Sequence, residues 1–262
     1  MGASSISSSP PDDPPVLELI EEARRLVRVA ADGGVVARLL GGAAVYIQSL
    51  PDGPILPRTI NDIDLVTKSG ARSGVTAVLL ESGYAPDKMF NALHGSRRLL
   101  FYDENHTRKL DVFVGMFAMC HELPIAARLD REELTIPLAE LVMTKLQIVK
   151  LTERDQRDIY NLLNRHEVMP GEAAAIEADY VGELCARDWG LWRTAKATIE
   201  TCLANLVSYD LESSATDRIA RRLETLWQRI EAEPKTARWK LRSRVGDRVR
   251  WYAEPEENPG SE

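Results

Sequence analysis

"RTINDIDLVTK", residues 58–68, is the stretch on which the reading of this chain turns. Polar and apolar residues alternate through it, which predicts a strand. Alternate side chains of a strand share a face, so Asp62 and Asp64 point one way and Ile63 and Leu65 the other. Two carboxylates on one face repel each other. Either this is a solvated strand end, or the acids are gathered to hold a cation. The stretch alone allows both.

The neighbouring segments bear on the choice. "VVARLLGG" (35–42) predicts a short buried strand ending in Gly41-Gly42, and "AAVYIQSL" (43–50) a short helix stopped by "PDGP". Glycines between a strand and a helix let backbone N–H groups approach a phosphate at the helix N-terminus, although a tight turn has the same composition. "ARSGVTAVLLESGY" predicts a helix closed by Gly83, and "RRLLFYD" and "KLDVFVG" two strands joined by "ENHTR". In the last strand Asp111 shares a face with Phe113, opposite Leu110, Val112 and Val114. An acid inside an apolar strand must be neutralised. If the two acidic strands are neighbours, three carboxylates converge, and such a cluster raises its pKa values or binds cations. Magnesium suits oxygen ligands of this kind, and two such ions can clamp a phosphoryl displacement.

The whole chain has 262 residues, 44% apolar and 28% charged, which is globular composition with enough length for one large domain or two small ones. A net charge of −7 excludes a generic polyanion binder. Cys120, Cys185 and Cys202 are widely spaced, with no metal or disulfide pattern, and fit a reducing cytoplasm. "MGASSISSSPPDDPP" has neither the basic nor the apolar region of a secretory signal, and Ile6 stands where a myristoylation motif needs Ser or Thr. No apolar run reaches membrane-spanning length, so no membrane partner is expected. Residues 1–14 and 253–262 read as disordered tails by composition. Between them, 15–120 reads as a small α/β core opened by a helix with Leu17, Ile20, Ala23 and Val27 inward. Residues 121–252 read as a helical domain, with helices near 138–150, 153–166, 172–187, 189–208, 214–232 and 235–250 and a seam around 120–136. The fold class is therefore α+β, a small mixed sheet followed by a helical bundle.

With these residues in view, "LLGGAAV", "NDIDLV" and "KLDVFVG" together resemble the polymerase-beta-type nucleotidyltransferase superfamily. More narrowly, "IPLAELVMTKLQIVKLTERDQRDIYNLL" (136–163) is similar to the corresponding segment of abortive-infection nucleotidyltransferase toxins. The resemblance covers about residues 36–165. It implies a magnesium-dependent enzyme, with two ions, that moves NMP from an NTP to a hydroxyl acceptor. Residue by residue, it implies that Gly41 and Gly42 contact phosphate, that Asp62 and Asp64 hold metal, and that Asp111 is the third acid. It also implies that Lys145 and Asp158 are the downstream lysine and aspartate of the nucleotide site. Gly-Gly stands where many members have Gly-Ser, and Asn161 where a second acid is common. The acceptor implied is RNA, a protein or a small molecule, and a cognate protein partner is a further expectation. The alternative is a catalytically silent member that binds a nucleotide or a partner.

Three side chains carry readings of their own. Lys145 falls inside the apolar stripe of Leu138, Leu141, Val142, Leu146 and Val149 and therefore needs an anion, either a phosphate or one of the acids. Asp158 sits at the edge of its helix's stripe, with Arg154 or Arg157 as candidate partners. Arg58 either steers a triphosphate or pairs with the acids. Finally, "PKTARWKLRSRVGDRVRWY" (234–252) is a basic run with interleaved aromatics in an acidic chain. It either grips RNA or docks its tryptophans on the bundle and pairs its bases with acids such as those of "EEARR".

Overall fold

The computed structural model describes residues 14–103, 105–106, 108–171 and 174–254. The two expected tails lie outside these residues, apart from Pro14, which begins the first helix, and Ala253 and Glu254. The fold is α+β with a mixed sheet. Its first half runs α1 (Pro14–Asp32), β1 (Ala37–Leu40), α2 (Gly41–Gln48), β2 (Asp62–Thr67), α3 (Arg72–Glu81), β3 (Ala85–Pro86), α4 (Lys88–His94), β4 (Arg98–Asp103) and β5 (Arg108–Val114). The sheet order is β1-β2-β5-β4-β3. The central pair β2–β5 is parallel, and every other neighbouring pair is antiparallel. Ile63, Leu65, Leu110 and Val112 are almost fully buried on the face away from the acids.

A hairpin of β6 (Phe117–Ala118) and β7 (Glu122–Leu123) and a 3-10 turn at Ile125–Arg131 then lead to α5 (Leu138–Leu146) and α6 (Glu153–Arg165). After a short parallel ladder of β8 (Val168–Met169) and β9 (Ile176–Glu177) come α7 (Ala178–Arg187), α8 (Trp189–Asn205), α9 (Ser213–Ala232) and α10 (Ala237–Ser243). The expected seam rejoins the sheet. Leu39 donates its N–H to Leu134 O at 2.9 Å and accepts from Ile136 N–H at 2.9 Å, so residues 134–136 run beside β1. One apolar cluster extends from α1 through the sheet into α9.

Several boundaries differ from the sequence reading, each for a local reason. The inner face of α1 is Val16, Leu19, Ile20, Ala23, Leu26, Val27 and Ala30, while Leu17 is 42% exposed. The helix expected over 138–150 ends at Leu146, which leaves Val149 outside it. The chain must turn there, because Thr152 begins α6 with a reciprocal capping box to Asp155. The helix expected over 172–187 starts only at Ala178, because Ile176 and Glu177 pair with Val168 and Met169. The helix expected over 235–250 breaks after Ser243, and Gly246 follows with φ +59°. Helix α4, capped by Asp87 accepting from the Phe90 N–H, stands where no helix was expected. Among the described residues no helix is long and apolar enough to cross a membrane.

Asn161 on α6 ties the halves together. Its amide accepts from the Leu56 N–H at 2.9 Å and donates to the Leu56 carbonyl at 3.0 Å. Both residues are buried. The amide carries a donor and an acceptor, whereas an ionised acid could only accept and would leave the Leu56 carbonyl unmet. Asn161→Ala orphans a buried N–H and a buried C=O, each worth roughly 1–3 kcal/mol. Urea unfolding is therefore expected to show a loss of about 2–4 kcal/mol, and a loss below about 0.5 kcal/mol would contradict this role.

Candidate active site at the β2–β5 seam

The parallel register sets Asp64 opposite Asp111 and Asp62 opposite Lys109. On the other side of β2, Leu40 opposes Asp64, so the turn leaving β1 passes directly beside that carboxylate. Gly41 occupies the turn with φ +67°, in the left-handed region that favours glycine. A Cβ at position 41 would lie 1.9 Å from Asp64 Oδ2, and one at position 42 would lie 2.5 Å from Arg58 Nη2. Gly41 is thus required by its left-handed backbone and by the approach of Asp64, while a side chain at position 42 would have to push the Arg58 guanidinium away from Asp158. Gly41 also begins α2, whose first turn has no side-chain cap and whose first N–H groups have no partner within the helix.

Asp64 carries the electrostatic strain of the site. Burial, followed by the charges of Asp62 and Asp111, pushes its carboxyl up to about 8, against the partial relief of Lys145 and Arg98. Asp111 is buried on the same sheet face and is already compensated. Arg98 Nε donates to its Oδ1 at 2.9 Å, and Lys109 Nζ lies 3.2 Å from its Oδ2. Arg98 is itself buried, with its guanidinium over the Phe113 ring at 5.1 Å and the Phe90 ring at 5.8 Å. Arg98 and Lys109 are absent from the sequence-derived site. Lys109 was findable, since it stands two residues before Asp111 on the same strand face. Arg98 required the antiparallel register that sets it opposite Phe113.

The downstream residues form a second cluster. Asp158 is buried and accepts from Arg58 Nε and Nη2 at 2.7 and 2.8 Å, while Lys145 Nζ lies 2.8 Å from Asp158 Oδ2. Lys145 also reaches Asp155 at 3.4 Å. Burial opposes the charge on Asp158, but Lys145 and Arg58 outweigh it and hold the carboxyl below its ordinary range. Burial likewise works against the Lys145 ammonium, and Asp158 and Asp155 raise it nonetheless. This corrects three expectations. Asp158 is interior rather than at the stripe edge, and it pairs with neither Arg154 nor Arg157. Arg157 turns instead to Glu153 and to the Pro57 carbonyl. The acid that Arg58 meets is Asp158, and the anions that Lys145 needs are Asp158 and Asp155 on the following helix, α6.

Asp62 and Asp64 offer only oxygen donors, and Asp64 is a carboxylate that an added cation would relieve. That donor set fits magnesium, which commonly takes one or two carboxylates and completes its shell with water and phosphate. Among the described residues no group of three or more His, Cys, Asp or Glu side chains is assembled around one ion position. Asp111 stands opposite Asp64 with its two oxygens turned to Arg98 and Lys109.

The basic C-terminal run docks through its aromatic residues. Trp239 meets Trp192 edge-on at 5.2 Å, Trp251 meets Trp189 at 6.2 Å, and Trp251 Nε1 donates to Thr194 Oγ1 at 3.1 Å. Arg242 donates to the Gly246 and Val249 carbonyls, and Arg250 pairs with Glu254. The acids of "EEARR" face Arg24 and Arg25 in α1 instead. Arg238, Lys240, Arg244 and Arg248 remain exposed. A cleft of about 530 Å³ is lined by Arg98 and Phe113 from the sheet and by Arg242, Trp251 and Tyr252 from this run. The chain matches no known family model, and no curated protein matches it.

The raised Asp64 carboxyl makes stability depend on pH. Its folded value, about 8, lies above the ordinary 3.8, so the folded state binds the extra proton. The resulting stability is complete below the ordinary value and is lost as pH rises through about 8. Glu140, which burial pushes up to about 7, adds a slope of the same sign. Asp64→Asn removes only the first contribution. In EDTA, its melting temperature is expected to fall less between pH 5 and 8.5 than that of wild type, and to exceed it at the upper end by about 2–4 °C. Parallel pH profiles would contradict the assignment.

Proposed function

We propose that this chain is a metal-dependent nucleotidyltransferase that moves NMP from an NTP to a hydroxyl acceptor and releases pyrophosphate. One observation carries the reading: a left-handed Gly41 packs against Asp64, which stands opposite Asp111 in parallel register. It supports the reading because the start of a helix, an acid pair and a further acid stand side by side.

In this reading Asp62 and Asp64 hold magnesium, which when bound supplies charge neutralisation at the phosphate oxygens. The N–H groups of Gly41 and Gly42 receive phosphate oxygens at the start of α2. Arg58 and Lys145, held in place by Asp158 and Asp155, turn their remaining N–H donors to the triphosphate. Asp111 retains lone pairs beyond those taken by Arg98 and Lys109, and these orient the acceptor hydroxyl and accept its proton. The acceptor oxygen bonds to the α-phosphorus as the bond to the bridging oxygen breaks, and pyrophosphate leaves. Catalysis is chiefly positioning and charge neutralisation.

For the acceptor, the exposed bases Arg238, Lys240, Arg244 and Arg248, on the same run whose Arg242, Arg250 and Trp251 line the cleft, support RNA over a protein or a small molecule. A cytoplasmic setting agrees with three buried, unpaired cysteines. A second reading, a catalytically silent member that binds a nucleotide or a partner protein, draws support from the engagement of both Asp111 oxygens by cations.

The experiment is incubation with α-labelled NTPs, magnesium and a cell extract. Wild type is expected to label one macromolecular or small-molecule fraction, and Asp62→Ala/Asp64→Ala to lose at least about 10²-fold of that transfer. Magnesium-dependent NTP binding without transfer supports the silent reading. Absence of both binding and transfer overturns the proposal.

A further inference from the structure

Arg98 and Lys109 converge on Asp111, and this bears on how many ions the site can take. The carboxylate has one cation on each oxygen, Arg98 Nε at 2.9 Å and Lys109 Nζ at 3.2 Å, with Arg98 and Asp111 side chains only 8% and 2% exposed. Attraction between groups this buried is little screened by salt. A guanidinium is charged at every working pH, and this one lies over the Phe113 and Phe90 rings. Its field also reaches Asp64, the other acid that a bridging ion would share.

We infer that Arg98 and Lys109 supply with their own charges what a second divalent ion would supply at Asp111, so that the site takes one divalent ion rather than two. The inference rests on the nucleotidyltransferase reading and sharpens it. The ion belongs to Asp62 and Asp64, and an ion shared by Asp64 and Asp111 would have to enter against two resident cations. Arg98 is then a positioning residue: it acts through Asp111, holding that carboxylate away from the metal and toward the acceptor.

The test counts bound Mn²⁺ by electron paramagnetic resonance on the full chain saturated with α,β-methylene-ATP. One Mn²⁺ per chain is expected for wild type and also for Asp111→Asn. Arg98→Met/Lys109→Met, which frees Asp111, is expected to gain a second. Two ions in wild type, falling to one in Asp111→Asn, would overturn the inference while leaving the nucleotidyltransferase reading standing. No nucleotide-dependent Mn²⁺ in wild type would overturn both. Should the double variant fail to fold, the comparison of wild type with Asp111→Asn still decides the matter.

Discussion

The parallel pairing of β2 with β5 forces two carboxylates into adjacent positions on one sheet face. Asp64 and Asp111 are opposite each other because the apolar residues around them, Ile63, Leu65, Leu110 and Val112, must face the core. A slip of β2 by one residue would turn Ile63 and Leu65 outward. The register is therefore fixed by burial, and the repulsion between the acids is its consequence. Asp111 is relieved from within the protein, by Arg98 and Lys109. Asp64 is relieved only in part, and its raised carboxyl records the remainder. That asymmetry separates an acid compensated by the fold from one that the fold compensates only in part.

The rest of the site is arranged around this seam. The turn at Gly41-Gly42 approaches so closely that side chains at these positions would overlap the Asp64 carboxylate and the Arg58 guanidinium. Arg58 is held in turn by Asp158 on α6, which also holds Lys145 from α5. Removing one member of such a buried set leaves uncompensated charge, commonly a loss of about 3–5 kcal/mol. The cluster thus links the sheet to the helical half and presents basic groups beside the glycine turn. Asn161, one helical turn beyond Asp158, adds a neutral tie to Leu56 from the same helix.

Much of this was legible in the sequence, because alternation along a strand reports faces directly. Asp62 and Asp64 on one face, Asp111 beside Phe113, and Gly41-Gly42 between a strand and a helix all follow from local spacing. The burial of Lys145 followed from its place in an apolar stripe. The partners did not follow. Asp158 and Arg58 are a hundred residues apart, and their pairing depends on how α6 packs against the segment before β2. Arg98 reaches Asp111 only through the register of β4 on β5. The basic run was ambiguous because charge spacing cannot tell a docked tryptophan from a free one. The contacts of Trp239 and Trp251 with the α8 tryptophans resolve those two rings, while four basic side chains stay outward.

In the proposed function Asp64 is the strained acid that a divalent ion completes. Carbon-13 NMR of the labelled Asp64 carboxyl, titrated with and without magnesium and a non-hydrolysable NTP, tests it most directly. Without the ion the apparent pKa should lie near 8, and with it the group should stay ionised down to below about pH 5, where ordinary carboxyl groups titrate. A carboxyl that titrates near 4 in the free protein, or one that the ion and nucleotide leave unmoved, would contradict the account.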